Sequence, residues 1–305
     1  MDRREFISKT LKHAAGLAVC TSLGNLGLAS SKTPEQPQSI LSTATGNNYP
    51  SLVSRVLEPL GGIQQFIKQG YKVVIKPNIG WNRSPEMAAN THPLIVAELV
   101  KLAIDAGAAK VSVFDRTCNE ERQCYHRSGI KPAVEALNLS NVSCDYIDDR
   151  KFISVPIPTG KSIQEWDIYK EAVEADCYIN VPVAKHHGLT RLSLGLKNIM
   201  GILGGNRGRI HHDIGQRLAD LHTAFKPSLT IIDATRLLMR NGPQGGSLDD
   251  VKVKDTLIAS VDIVAADAYA TTLFDLMPTD VYATVAAHAA GLGEMNLEKV
   301  KIVNA

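Results

Sequence analysis

Residues 72–78 read KVVIKPN, a short β-branched run that ends in a lysine, a proline and an asparagine. Two further runs follow the same plan, Val111–Asp115 (VSVFD) and Cys177–Val181 (CYINV). Nearly continuous apolar strands of this length, separated by helical patterns, are typical of a parallel sheet that is covered on both faces. The sequence therefore predicts an α/β fold with a mostly parallel sheet and helices on both faces.

The segments around these runs complete the predicted alternation of strands and helices. Further strands are expected at Val142–Ile147, Leu229–Ile232 and Thr256–Ala259, and helices at Leu52–Lys68, Pro93–Ala106, Pro132–Leu137, Asp167–Ala175, Ile263–Leu276 and Val281–Ala290. The Gly-rich and basic segment from about 185 to 225 does not fit this alternation and is expected to form an insertion over the sheet edge. The chain contains no GxGxxG fingerprint, which disfavours a standard dinucleotide-binding half.

The charge balance of the chain excludes several classes of partner. The 305 residues hold 33 Lys and Arg against 31 Asp and Glu, and 44% are hydrophobic. Without the first 30 residues the two charge types balance at 29 each. A neutral chain has no global field that would capture nucleic acid or an anionic membrane surface. We therefore expect no nucleic-acid partner.

The N-terminus has the order of features that is typical of an export signal. Arg3 and Arg4 precede a mildly apolar run, Leu11–Leu28, which is too short and too polar for a stable membrane span. We interpret residues 1–30 as a twin-arginine signal peptide, residues 31–50 as a flexible linker and residues 51–305 as a single α/β domain, with two lobes as an alternative. An amphipathic N-terminal helix is the other interpretation. The export machinery would be a partner, and the mature protein periplasmic or extracellular.

Polar side chains stand at the carboxyl ends of several predicted strands, which is where open α/β sheets bind ligands. Lys76 and Asn78 follow the first strand, Asp115 the second, Lys185 the third and Asp233 a later one. Asp and Asn are also common in turns and as helix caps. Lysines fit that alternative poorly, so this edge of the sheet is a candidate site.

The stretch from Cys177 to His212 is a concentrated positive segment. Its 36 residues contain no Asp or Glu but five Lys and Arg, four His and six Gly. Glycines let backbone N–H groups approach a ligand closely, and lysine supplies a point charge. A solvated basic loop with glycine turns is the alternative. We predict a site for a small anion, a carboxylate or a phosphate.

Histidine and cysteine allow a second hypothesis, a metal or redox site. His187, His211 and His212 are candidate ligands of a transition metal. A histidine here could equally act as a general acid or base. Cys118, Cys124, Cys144 and Cys177 match no zinc or iron–sulfur spacing. Cys118 and Cys124 are predicted to pair in an oxidising compartment, with free thiols as the alternative.

Several separated motifs resemble the domain of unknown function 362 family, from about residue 70 to 275. They are Lys76-Pro77-Asn78, Thr91-His92-Pro93, Val113-Phe114-Asp115, Asn180-Val181-Pro182 with Lys185-His186-His187, Leu196 to Gly201, the His211 region, Ile231-Ile232-Asp233 and Asn241-Gly242-Pro243. The resemblance implies site positions at Lys76, Lys185, His187, Lys197, Asn198, Asp233 and Gly242. It supplies no established reaction. Relatives described as iron–sulfur proteins carry a segment of clustered cysteines that this sequence does not have.

Three functions are compatible with these patterns. In an enzyme acting on an anionic small molecule, His187, Asp233 and Lys185 would be catalytic. The anion would then be bound by Lys76, Asn78, Asp115, Lys197, Asn198 and Gly242. A metal- or iron–sulfur-linked redox protein and a non-catalytic ligand- or cofactor-binding protein are the alternatives. The layout also bears a fainter resemblance to that of the nickel-dependent lactate racemase family.

Overall fold

The computed structural model of the protein describes residues 39–305, which form one compact unit. The predicted signal peptide and the first part of the predicted linker lie outside these residues. The strands are β1 (Ile40–Thr45), β2 (Lys72–Pro77), β3 (Lys110–Val113), β4 (Val142–Cys144), β5 (Phe152–Pro156), β6 (Glu165–Tyr169), β7 (Cys177–Val181), β8 (Val183–His187), β9 (Arg191–Ser193), β10 (Leu229–Leu238), β11 (Val251–Ser260) and β12 (Lys301–Asn304).

The α-helices mostly lie between strands, as the pattern predicts. They are α1 (Tyr49–Leu57), α2 (Pro93–Asp105), α3 (Glu121–Arg127), α4 (Ile130–Glu135), α5 (Lys170–Val173), α6 (Gly195–Asn198), α7 (Ile214–Ala224), α8 (Ile263–Thr272) and α9 (Tyr282–Ala289). Two 3₁₀ segments that bear on the site are Ile199–Ile202 and Arg207–Asp213. Asp262 caps α8 as expected, because its carboxylate accepts the N–H groups of Val264 and Ala265.

Ten of the described strands form one sheet, with the path β12-β1-β11-β10-β7-β2-β3-β4 and with β8 and β9 attached beside β10. Strands β10, β7, β2, β3 and β4 are parallel to one another, whereas β11 is antiparallel to both β10 and β1. The largely parallel sheet is therefore confirmed, with an antiparallel border. Strands β5 and β6 form a separate hairpin.

Alternate residues of the parallel strands bury opposite faces of the sheet. Val73 and Ile179 pack with helices α1 and α2 in one core. Val74 and Tyr178 point the other way and pack with helix α7 in a second core. This alternation follows from the period of two in a strand. Helices on both faces are confirmed.

The order of strands creates a switch point between β2 and β7. From β2 the chain moves outward through β3 and β4, and it then returns to β7 on the other side of β2. In open α/β sheets the loops diverge at such a point and leave a crevice at the carboxyl ends of the strands. Lys76 lies near the end of β2 and Lys185 lies on β8, just beyond β7.

Four predictions of local structure are wrong. The predicted linker contains β1, which pairs with β11 and β12, so the described unit starts at Ser39. The predicted helix 52–68 ends at Leu57, ahead of Pro59 and of Gly61 with its φ of 85°. Residues 165–169 form strand β6, and only 170–173 are helical. Part of the predicted insertion belongs to the sheet, because β8 pairs with β10.

Two further features bear on the predictions from sequence. Cys118 and Cys124 are both free thiols, exposed and buried respectively, so the predicted disulfide is wrong. In residues 39–305 we find no helix whose length and apolar character would let it cross a bilayer.

Candidate functional site

A cavity of about 470 Å³ lies at the switch point of the sheet. Its walls come from the segments that follow β2, β3 and β7, together with α6 and the loop around Gly242. The residues that line it include five Lys and Arg, namely Lys76, Arg116, Lys185, Lys197 and Arg207, but a single carboxylate, Asp115. Trp81, Leu189, Leu194 and Met200 add apolar wall. The predicted residues Lys76, Asn78, Asp115, Lys185, His187, Lys197, Asn198, His211 and Gly242 all line the cavity.

Lys76 and Asp115 form a buried ion pair that joins β2 to the end of β3. The Lys76 Nζ lies 2.9 Å from Asp115 Oδ1, and both side chains are about 1–2% exposed. The Nζ also donates to the carbonyl and side-chain oxygens of Asn198, at 2.6 and 2.7 Å. Burial lowers the pKa of Lys76, and Asp115 opposes that shift. Lys76, Asp115 and Asn198 therefore form the floor of the cavity.

The ion pair leaves no space beside residue 201. A Cβ on Gly201 would lie 1.7 Å from Asp115 Oδ1 and 2.3 Å from Lys76 Nζ. Glycine is needed there because of close packing, and not because of a positive φ. Gly242 is similar, since a Cβ would lie 1.9 Å from the carbonyl oxygen of His186. Its own N–H donates to His186 Nδ1 at 3.1 Å.

Helix α6 carries Lys197 and Asn198, and buried polar side chains hold it from behind. Asp267 on α8 accepts the N–H groups of Gly195 and Leu196 at 2.7 and 2.9 Å. His222 on α7 contacts the Leu196 carbonyl oxygen at 2.9 Å. Gly195 and Leu196 are the first two residues of α6, and the N–H groups at the start of a helix have no acceptor within it, so the Asp267 carboxylate caps this end of α6. Burial raises the pKa of Asp267 to about 7 and lowers that of His222 to about 4.

Lys197 projects from this support into the cavity without an acceptor. Within residues 39–305, its Nζ has neither a hydrogen-bond acceptor nor an ion-pair partner, although the group lines the cavity. Burial, together with the charges of Arg207 and Lys76, lowers the pKa of Lys197 to about 8. A cation in this position lacks the counter-charge that a bound anion would supply.

His187 and His211 stack in the cavity wall with their ring centroids 5.8 Å apart. His187 Nδ1 accepts the Leu189 N–H at 3.2 Å, which places the proton of the neutral ring on Nε2. His211 Nδ1 lies 3.1 Å from the Gly208 carbonyl oxygen, which places its proton on Nδ1 and leaves Nε2 as an acceptor. Burial and then Lys197 lower the pKa of His187 to about 3, and the pKa of His211 falls for the same reasons. The pair therefore offers one N–H donor and one basic nitrogen.

Two predicted site residues lie elsewhere. Asp233 does not line the cavity, because its carboxylate accepts from the His92 N–H at 2.7 Å and from the Thr235 N–H and hydroxyl. It therefore fixes the start of α2 rather than facing a ligand. His212 is exposed and outside the cavity. The described residues bring together no group of three His, Cys, Asp or Glu side chains that could hold a metal, so the predicted set of His187, His211 and His212 is not assembled.

The side chains that support the site from behind were not predicted from the sequence. Asp267 and His222 are such residues, and so is Asn180, which donates to the Gly195 carbonyl oxygen at 3.0 Å. Asp267 could have been noticed, because it is an acidic residue inside the otherwise apolar helix IVAADAYATT. Arg207 belongs to the predicted positive stretch 177–212, but its guanidinium donates to the backbone carbonyl oxygens of Arg116 and Thr117.

Comparison with known families agrees with the motifs at this cavity. The model of the domain of unknown function DUF362 matches residues 73–272, which span the switch point and every wall of the cavity. The chain belongs to the DUF362 family. A curated relative, a thylakoid-associated protein of Synechocystis sp., is 28% identical over 248 residues, which cover 78% of this chain and 73% of the relative.

Two solved structures have distant similarity to this DUF362 chain. One is a crystal structure of a protein from Thermotoga maritima, with 11% identity and a TM-score of 0.43. The other is the lactate racemase apoprotein of Thermoanaerobacterium thermosaccharolyticum, with 16% identity and a TM-score of 0.44. Each comparison covers 74% of this chain, and the chain spans 59% and 55% of the two structures.

Proposed function

We propose that this protein is an enzyme that binds a small anionic molecule, a carboxylate or a phosphate, in the cavity at the switch point. The observation that carries the proposal is the Lys197 ammonium, which has no acceptor among the described residues and lines a cavity with five Lys and Arg residues and one carboxylate. That carboxylate, Asp115, is already paired with Lys76. An anionic group would supply the missing counter-charge through charge-assisted hydrogen bonds.

The two stacked imidazoles give the bound anion a route for proton transfer. Both rings are neutral at pH 7, because their pKa values are lowered. In the tautomers that the backbone contacts set, His187 Nε2–H donates a hydrogen bond and His211 Nε2 accepts a proton. The N–H of a neutral imidazole, as in His187, can polarise a carbonyl or carboxylate oxygen, and the unprotonated nitrogen of another, as in His211, can remove a proton. This arrangement supports enzymatic chemistry rather than storage alone.

Binding of oxalate and inorganic phosphate, measured by titration calorimetry at pH 7, tests the proposal. Replacing Lys197 with methionine should weaken binding by about 10- to 100-fold, because a hydrogen bond to a charged group contributes about 1.5–3 kcal/mol. The matched control is Lys254→Met, which removes an exposed lysine on β11. It should leave the affinity unchanged. Equal affinities of the two variants for both anions would refute an anion site at Lys197.

We propose in addition that the protein is exported through the twin-arginine pathway, on the strength of Arg3, Arg4 and the apolar run after them. Cell fractionation of a bacterial host that expresses the full chain should find a shortened protein outside the cytoplasm. The double substitution Arg3→Lys and Arg4→Lys should retain the full-length chain in the cytoplasm. An identical distribution of the two proteins would contradict the proposal.

A further inference from the structure

The three lysines of the cavity differ in how many hydrogen-bond acceptors surround each nitrogen. Lys76 Nζ has three oxygens within 3 Å, two from Asn198 and one from Asp115, which match the three N–H bonds of an ammonium. Lys197 Nζ has none among the described residues. Lys185 Nζ has two, the side-chain oxygen of Asn78 at 2.9 Å and the carbonyl oxygen of Ala89.

Two neutral acceptors match the two N–H bonds of an uncharged amine. A neutral lysine has two N–H bonds and one lone pair, and the two oxygens at Lys185 satisfy both N–H bonds. Within the described part of the chain no carboxylate contacts the nitrogen, and the residue is 2% exposed. Lys185 lines the cavity, and no third acceptor among the described residues occupies the remaining site on its nitrogen.

The surrounding charges act in the same direction as the hydrogen bonds. Burial lowers the pKa of Lys185 to about 7, and the charges of Lys197 and Lys76 add to the shift, while Cys118 and Asp115 oppose it. An ordinary lysine is almost entirely protonated at pH 7. Lysines that are desolvated and lie beside other cations are known to act as nucleophiles toward carbonyl carbons.

We propose that Lys185 forms an imine with the carbonyl carbon of a small 2-oxo carboxylate, whose carboxylate group is held by Lys197. This inference rests on the anion site proposed above and specifies its substrate class. A cavity of about 470 Å³ accommodates a molecule of this size. A 2-oxo carboxylate joins, within one small molecule, the anion that Lys197 requires and the electrophile that a neutral amine attacks.

The step is balanced without an oxidant or a reductant. The Lys185 nitrogen attacks the carbonyl carbon with its lone pair, and one amine proton passes to the oxygen to give a carbinolamine. The second amine proton leaves with that oxygen as water, and the C=N bond forms. The His187 N–H and the His211 nitrogen, which line the same cavity, are placed to relay these protons.

Reductive trapping on the wild-type protein tests the proposal. The protein is incubated at pH 7 with pyruvate, glyoxylate or 2-oxoglutarate and with cyanoborohydride, which reduces imines to stable secondary amines. Peptide mass mapping then locates the modified lysine. We expect Lys185 to be labelled by at least one of the three acids at least about tenfold more than the exposed Lys254. Oxalate, which has no ketone or aldehyde carbonyl, should protect Lys185.

The outcomes separate this inference from the anion site. Labelling of Lys185 that oxalate prevents supports the inference. Labelling of Lys197 instead, or labelling of Lys185 no greater than that of Lys254 with all three acids, overturns it. If calorimetry still finds oxalate binding that depends on Lys197, the anion site survives that result. A Lys185→Arg variant should lose the label, and the wild-type map decides the question even if this variant does not fold.

Discussion

Replacing Asp115 with alanine is expected to lower the free energy of unfolding by about 3–5 kcal/mol, the usual cost of leaving one member of a buried ion pair without its partner. The Lys76 ammonium would remain buried with only the two oxygens of Asn198 near it. The Ile79 N–H, which Asp115 Oδ2 accepts at 2.6 Å, would also lose its acceptor. Urea unfolding at pH 7 measures the change.

Two further variants show whether the loss comes from the uncompensated charge. Combining Asp115→Ala with Lys76→Met should recover part of the stability, because no buried charge then remains unpaired. The matched control is Glu98→Ala, which breaks a partly exposed pair with Lys101 on the surface of α2 and should cost less than about 1 kcal/mol. If the free energy of unfolding of Asp115→Ala lies within about 1 kcal/mol of the wild-type value, the loss is no larger than that of a surface ion pair. That result would show that the buried ion pair does not stabilise the site.

The second large effect is a change in the pH dependence of stability when Asp267 is replaced with asparagine. The folded protein holds the pKa of this carboxyl at about 7, above its ordinary value. The stabilisation that the protonated Asp267 gives the folded state is fully present below the ordinary pKa of an aspartic acid. It is lost as the pH rises to 7, because the unfolded chain releases this proton at a lower pH than the folded protein does. The Asp267→Asn variant removes this loss. Relative to the wild type, its stability should rise by about 2–3 kcal/mol between pH 5 and pH 7.

His222 provides a control of opposite sign in the same support of α6. Its pKa is lowered to about 4, so its contribution is present above the ordinary histidine pKa and is lost as the pH falls. The His222→Gln variant should therefore become less stable relative to the wild type between pH 5 and pH 7, by about 2 kcal/mol. Urea unfolding at both pH values tests the two variants together. Parallel pH profiles for the wild type and both variants would contradict the assigned pKa shifts.

The parallel half of the sheet was predictable because its strands are buried on both faces. A short and mostly apolar run such as Cys177–Val181 is too short for a typical helix and is therefore best explained as a buried strand. The same rule fails at Glu165–Tyr169, where the residues EWDIY form a strand because they pair with β5 in a hairpin. Strand β1 was missed because its partners are β11 and β12, more than 200 residues away in the chain. Long-range pairing of this kind leaves little local signal.

The location of the site was predictable, but the role of each residue was not. Two features of the sequence indicated the location, the polar residues at the strand ends and the stretch 177–212 without Asp or Glu, and both supply side chains that line the cavity. Asn198, however, uses its side chain on Lys76 and Asn180, and Asp233 holds the start of α2. Residue type and position in a loop indicate a polar function, and only the partners separate a group that binds a ligand from one that supports its neighbours.

The most direct test of the account is a crystal of the protein soaked in selenate and measured at the selenium absorption edge. We expect the strongest anomalous peak inside the cavity, within hydrogen-bond distance of Lys197 Nζ. A second basic groove, lined by Arg122, Arg127 and Lys131, provides an internal comparison. A peak at that groove with none beside Lys197 would contradict an anion site at the switch point of the sheet.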